Sequence, residues 1–115
     1  MQLHPIEDSE MNKVNPSVVV TGYVRVAPKD REAFVKVLRA HVLRVRKKDG
    51  CLAYAFAFDV VDSNMVRMSE TWRDQQSLAA HLADDEFKEV QRELVHVEFI
   101  ERSVQRYDVS SVTDI

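Results

Sequence analysis

Residues 51–73 read CLAYAFAFDVVDSNMVRMSETWR. From Cys51 to Val61 the side chains alternate, with Leu52, Tyr54, Phe56, Phe58 and Val60 on one face of an extended chain and Ala53, Ala55 and Ala57 on the other. A period of two marks a strand. Asp62-Ser63-Asn64 is a run of turn formers. Met65 to Arg73 alternates again, with Val66, Met68, Glu70 and Trp72 on one face. Two strands joined by so short a turn make an antiparallel hairpin.

The flanks of the hairpin set the order of the remaining elements. Upstream, Ser17 to Ala27 is rich in Val and Tyr and predicts a first strand. Pro28 ends it and suits the first turn of a helix. Asp30 and Glu32 at one end of that helix, and Arg46, Lys47 and Lys48 at the other, complement its dipole. Phe34, Leu38, Val42 and Val45 form its apolar stripe, and Asp49-Gly50 stops it. Downstream, Asp74 is placed to cap a helix over Gln75 to Ala83. Asp84-Asp85 marks a break, and Glu86 to about Val95 continues as helix with Phe87, Val90 and Leu94 inward. Phe99 to Val109 is the last strand.

The order is therefore β-α-β-β-α-β, an α+β class, ferredoxin-like sandwich with two helical segments on one face of a four-stranded antiparallel sheet. Alanines suit the close approach of helices, which would leave the Tyr54, Phe56 and Phe58 row on the open face. So large an apolar patch calls for a partner, and two sheets face to face in a homodimer would bury it. Residues 1–16, with Pro5 and Pro16 and no periodicity, read as a flexible leader; residues 17–109 are the domain and 110–115 a polar tail.

Bulk composition narrows the function classes. The chain has 115 residues, one ordinary domain. Its 45% hydrophobic content supports a core. A net charge of −3 argues against a general nucleic-acid binder. The third strand also lacks the Gly and aromatic signature of RNA-recognition domains of the same topology. Cys51 is the single cysteine, which excludes an intrachain disulfide and suits a reducing compartment. No run approaches the ~20 apolar residues of a membrane span, and the N-terminus has no basic-then-apolar pattern. The expectation is a cytoplasmic protein with no membrane partner. The four histidines lack zinc-ligand spacing such as His-Glu-x-x-His, so no metal is expected.

Lys48-Asp49-Gly50-Cys51-Leu52-Ala53-Tyr54, Glu70-Thr71-Trp72-Arg73-Asp74, and then Leu78, His81, Leu82 and Phe87 resemble the antibiotic-biosynthesis monooxygenases, the quinol-monooxygenase-like family. The match covers roughly residues 17 to 109. It implies a dimeric α/β barrel built from paired ferredoxin-like units. It also implies oxidation of a small aromatic or quinol-type substrate by O₂, with no cofactor. Members differ in function, so a non-oxidative isomerase and a non-catalytic small-molecule-binding dimer stay open. The haem-degrading branch has a tryptophan where His81 stands, a ligating histidine where Gln91 stands and an asparagine on the first strand. None is present here, which disfavours haem degradation.

Five residues lead the candidates for the site. His81 shares a helix face with Leu78 and Leu82. Its ordinary pKa of about 6.5 suits a base that deprotonates a phenol; alternatively it is a structural histidine bonded to Glu70 or to backbone. Glu70, amid apolar neighbours, would orient His81 or serve the fold. Trp72 would wall an aromatic pocket or simply fill the core. His41, near the helix-one stripe, is either a second base or an edge residue with one nitrogen in water, and the edge is the preferred reading. Tyr23 is a candidate hydroxyl donor, as are Tyr54 and Tyr107. Cys51, just after Gly50, reads as a buried small residue rather than a reactive thiol.

Overall fold

The computed structural model describes residues 14–115. Most of the leader anticipated over residues 1–16 lies outside them. The strands are β1 (Val18–Val26), β2 (Cys51–Phe58), β3 (Met65–Trp72) and β4 (Phe99–Asp108). The helices are α1 (Arg31–Val45), α2 (Gln75–Ala83) and α3 (Asp85–Glu93), and a 3₁₀ turn over Pro28–Asp30 leads into α1. All pairings are antiparallel and the sheet order is β2-β3-β1-β4, the α+β ferredoxin-like arrangement.

The elements follow from their residues. Ser17 ties the centre of the sheet together: its N–H donates to Trp72 and its carbonyl accepts from Val109. Asp74 caps α2, its carboxylate accepting the Ser77 N–H at 2.7 Å, and Asp84 caps α3, accepting the Glu86 N–H at 2.6 Å. That second cap turns the Asp84-Asp85 break into a sharp corner between two short helices. Gly50 closes the α1–β2 connection at φ +79°, where a Cβ would meet Ser77 Oγ at 2.0 Å.

Two expectations about the hairpin are corrected. β2 ends at Phe58 rather than Val61, because the Asp59 carboxylate accepts the N–H groups of Val61 and Asp62, both at 2.9 Å. These side-chain bonds replace the strand ladder, and Val60 and Val61 stand in solvent. The larger correction concerns the faces. In register, Tyr54 lies beside Glu70 and Phe56 beside Met68, and Val66, Glu70 and Trp72 are buried under the helices. Tyr54 is therefore 4% exposed, in the core with Val18, Val45, Trp72 and Leu78, and Phe56 packs against it. Ala53, Ala55 and Ala57 occupy the open face. Helices stand off from a sheet by a full layer of side chains, so the larger residues are needed on the covered face and the alanines are left outside.

Candidate functional site

A cavity of about 460 Å³ lies between the sheet and the three helices. Val20, Phe56, Leu78, Phe87 and Val104 give it apolar walls, and His41, Tyr54, Glu70 and His81 supply polar groups. A groove of about 440 Å³ runs outside α1 against β2, between residues such as Leu43, Arg46 and Phe58. It contains no histidine or carboxylate, and a shallower, more polar pocket beside Asp49, Asp74 and Asp84 shares only His81 with the first, so the first cavity is the candidate site.

His41, on the buried side of α1, is 3% exposed. Both ring nitrogens are bonded within the protein: Nδ1 to Glu86 Oε1 at 2.7 Å and Nε2 to the Tyr54 hydroxyl at 2.9 Å. The edge position with one nitrogen in water is thereby corrected. Proton placement follows from the partners. Burial pushes the Glu86 carboxyl up, but bonds from Lys48, His41 and Arg44 outweigh it and hold Glu86 at about 2. Glu86 is thus an acceptor, and His41 donates Nδ1–H to it. Burial above all lowers the His41 pKa, while burial and nearby carboxylates raise that of Tyr54. A neutral phenol then donates to a neutral Nε2. The chain runs Glu86 carboxylate, imidazole, phenol, with its Tyr54 end on the cavity.

His81 is 2% exposed and packed among rings: Trp72 stacks on it at 5.0 Å and Phe87 lies tilted at 4.9 Å. Its Nδ1 is 2.8 Å from Lys48 Nζ. Lysine only donates, so Nδ1 is the acceptor and a neutral ring carries its proton on Nε2. Burial first, then the charge of Lys48, lowers the His81 pKa to about 4. Lys48 also contacts Glu86 at 2.9 Å and Asp84 at 3.2 Å. One connected network thereby fixes both histidines.

Glu70 is 5% exposed and accepts the Trp72 indole N–H at 3.0 Å. It thus orients Trp72 instead of His81. Burial pushes its carboxyl up, and the indole bond offsets only part of that. Among the described residues every fully buried side-chain nitrogen and oxygen has a partner. The second Glu70 oxygen and His81 Nε2 have none, so each keeps access to open space, and both residues line the cavity.

The structure brings Glu70, His41 and His81 around one cavity and sets Trp72 behind them, fully buried. It does not bring Tyr23 there. Tyr23 is on the opposite face of β1, its hydroxyl donating to Glu101 at 2.7 Å, and that bond pushes its phenol up. Cys51 is half-buried and burial raises its thiol. Glu86 and Lys48 escaped the sequence reading. Acids at a helix start and lysines at a helix end are already explained by the helix dipole, and only the fold shows that these two meet. Among the described residues no group of three or more His, Cys, Asp or Glu side chains is arranged to hold a metal ion, and no helix is long and apolar enough to cross a membrane.

Comparison with known proteins gives a consistent fold. Residues 17–93 match the family model described as antibiotic biosynthesis monooxygenase. A Deinococcus radiodurans structure provisionally named as such a monooxygenase superposes with a TM-score of 0.78 at 19% identity, covering 85% of this chain and 97% of that one. A Pseudomonas aeruginosa protein gives 0.74 at 25% identity, with 86% and 99% covered. A conserved protein from Methanosarcina mazei gives 0.75 at 24% identity, with 81% and 92% covered. An uncharacterised Synechocystis protein is 29% identical over 72 residues, 63% of this chain; the chain spans about half of that relative, 49% of its length.

Proposed function

From the premise that the chain belongs to the antibiotic biosynthesis monooxygenase family, we propose that it is a cofactor-independent monooxygenase oxidising a small electron-rich phenol or quinol with O₂ in the cavity under the helices. The observation that carries this reading is the Glu86–His41–Tyr54 chain ending on an apolar cavity. It has the order of an acid-oriented base with a hydroxyl relay.

The substrate hydroxyl gives its proton to the Tyr54 oxygen as Tyr54 passes its own to His41 Nε2, and Glu86 stabilises the imidazolium. The phenolate surrenders one electron to O₂, and the two radicals combine at a ring carbon that bears hydrogen. The peroxide oxygen takes a proton from the Glu70 carboxyl, which burial keeps protonated more readily than usual. Glu70 then removes the ring proton, a carbonyl forms, the O–O bond breaks and hydroxide leaves with the His41 proton as water. One oxygen atom stays on the substrate and no outside reductant is consumed. His81 acts through Nε2–H, donating to the phenolate oxygen as charge builds there. This replaces its role as the base, because its lone pair faces Lys48. Trp72 keeps the His81 ring in place.

The homodimer belongs to the same proposal on different grounds. Tyr54 and Phe56 are packed under the helices and so are not the interface; the open face instead presents Ala53, Ala55 and Ala57, small enough for a second sheet to approach. The domain limits of 17–109, with a leader before and a tail after, are also proposed.

O₂ uptake by the purified protein, measured against a panel of chemically reduced quinones and polyphenols beside His41→Asn and His81→Ala, tests the assignment. Uptake above autoxidation that falls in folded His41→Asn supports it. No uptake with any substrate overturns it in favour of non-oxidative proton transfer or binding without turnover.

A further inference from the structure

The cavity is not uniform along its length. At one end are the buried groups Tyr54, Glu70 and His81; at the other is the inner face of β4, with Arg102 and Arg106 among the lining residues. Register places Arg102 beside Val24 and Arg106 beside Val20, the same face of the sheet as Glu70. β4 is an edge strand and both arginines are exposed. The cavity thus runs from a cationic mouth to a buried acid-base end.

The arginines of this chain differ in what they hold. Arg25, Arg44, Arg67, Arg73 and Arg92 each hold a carboxylate. Arg106 reaches Asp108 at 3.4 Å. Among the described residues Arg102 has no hydrogen-bond or ion-pair partner, and Glu70, level with Arg106 across β1, is the only carboxyl lining the cavity. Two guanidiniums at the mouth of an apolar pocket favour an organic anion, since low-dielectric walls concentrate their field.

We propose that the cavity binds an aromatic carboxylate, its ring system against Phe56, Leu78 and Phe87 and its carboxylate on Arg102, with Arg106 as a second donor. This names the substrate class for the cavity assigned above and rests on that assignment. A guanidinium presents paired N–H donors that match the two oxygens of a carboxylate. The anion would also be anchored away from Tyr54, leaving a phenolic hydroxyl on the same ring system to reach it. Arg102 is then a specificity-determining residue with no part in the oxidation step.

The test is calorimetric binding under anaerobic conditions of two probes that differ by one group, 6-hydroxy-2-naphthoate and 2-naphthol, the first carrying its hydroxyl and carboxylate at opposite ends of the ring system. Wild type is expected to prefer the naphthoate by about tenfold or more, the size of a hydrogen-bonded charge contact. Arg102→Gln should remove most of that preference and leave naphthol affinity unchanged. Arg39→Gln, in the outer groove, should change neither. Equal affinities in wild type, a preference that survives Arg102→Gln together with Arg106→Gln, or no binding of either probe overturns the proposal. The readout is separate from oxidation. Arg102-dependent naphthoate binding without O₂ uptake keeps this inference and defeats the oxygenase reading. O₂ uptake with neutral quinols by a wild type that binds the two probes equally does the reverse.

Discussion

Lys48 Nζ lies 2.8 Å from Nδ1 of His81 and fixes which nitrogen of that ring carries the proton. A cationic donor on the lone pair makes His81 a donor at Nε2 and a poor base. His41, with a carboxylate on Nδ1 and a phenol on Nε2, is set up the other way. Two histidines whose rings stack at 5.9 Å thus have opposite proton placement, and both arrangements depend on Glu86, which binds Lys48 and His41 with different oxygens.

Lys48→Met should release that constraint. The Lys48 charge is the second cause, after burial, of the low His81 pKa of about 4. Removing it raises the pKa while burial still holds it below the ordinary 6.5. A ¹⁵N NMR titration of the imidazole would show the midpoint moving up, with both tautomers present above it. An unchanged midpoint would mean that Lys48 does not set the state of His81.

Stability should fall on mild acidification. His41 and His81 have folded pKa values below the unfolded 6.5, so the unfolded chain binds more protons between the two limits and stability rises with pH there. Their contribution is present above about pH 6.5 and is lost on descending toward the folded values, about 4 for His81. For His81 the full difference is on the order of 3 kcal/mol. Glu70, raised by burial, acts in the opposite sense above its ordinary 4.5. Urea midpoints at pH 7 and pH 4.5 should differ, with the lower at pH 4.5, and His81→Gln should narrow the gap. Equal midpoints would contradict the buried neutral pair.

Tyr54→Phe keeps the ring packing and deletes the one donor to His41 Nε2. A buried acceptor left without its partner costs about 1–3 kcal/mol, read as a lower urea midpoint. O₂ uptake, where present in wild type, should drop with little change in KM, since the hydroxyl relays a proton and holds little of the substrate. Full activity in this variant would remove Tyr54 from the relay.

The fold was legible because residues 53–58 and 65–72 alternate with a period of two and Gly50, Asp74 and Asp84 punctuate what surrounds them. The side of the sheet that the helices cover was not legible. Alternation separates two faces without saying which one is inside, and a row of alanines beside a row of aromatics looks equally consistent with either until Glu70 and Met68 are paired with Tyr54 and Phe56. The site was half legible for a similar reason. His41, Glu70 and His81 stand out as polar residues on apolar stripes, whereas Glu86 and Lys48 sit where any helix would place its charges, and their meeting depends on the corner that Asp84 makes between α2 and α3.

Gly50 gives a test of that junction. Alanine there meets two costs, a left-handed φ of +79° and a Cβ 2.0 Å from Ser77 Oγ. Left-handed backbone alone costs a non-glycine residue about 1–2 kcal/mol. Gly50→Ala should lower thermal stability by more than that, and adding Ser77→Gly should recover the steric part while the backbone part remains. Chemical denaturation of the four proteins in the cycle isolates the coupling. Additive effects would show that the Ser77 side chain does not crowd this position.

Neighbouring residues on β2 separate core from assembly. Phe56 packs against Tyr54 under the helices, so Phe56→Ala should cost about 2 kcal/mol of folding stability, less than a fully enclosed ring would. Ala55 is exposed on the other face beside Ser69. Ala55→Arg should leave the fold intact, because an edge-strand position open to solvent accepts a long charged side chain. Its effect should appear instead in sedimentation velocity, where wild type runs as a dimer and the variant as a monomer. A dimer that persists with an arginine in the alanine row would place the contact between copies elsewhere than the open face of the sheet.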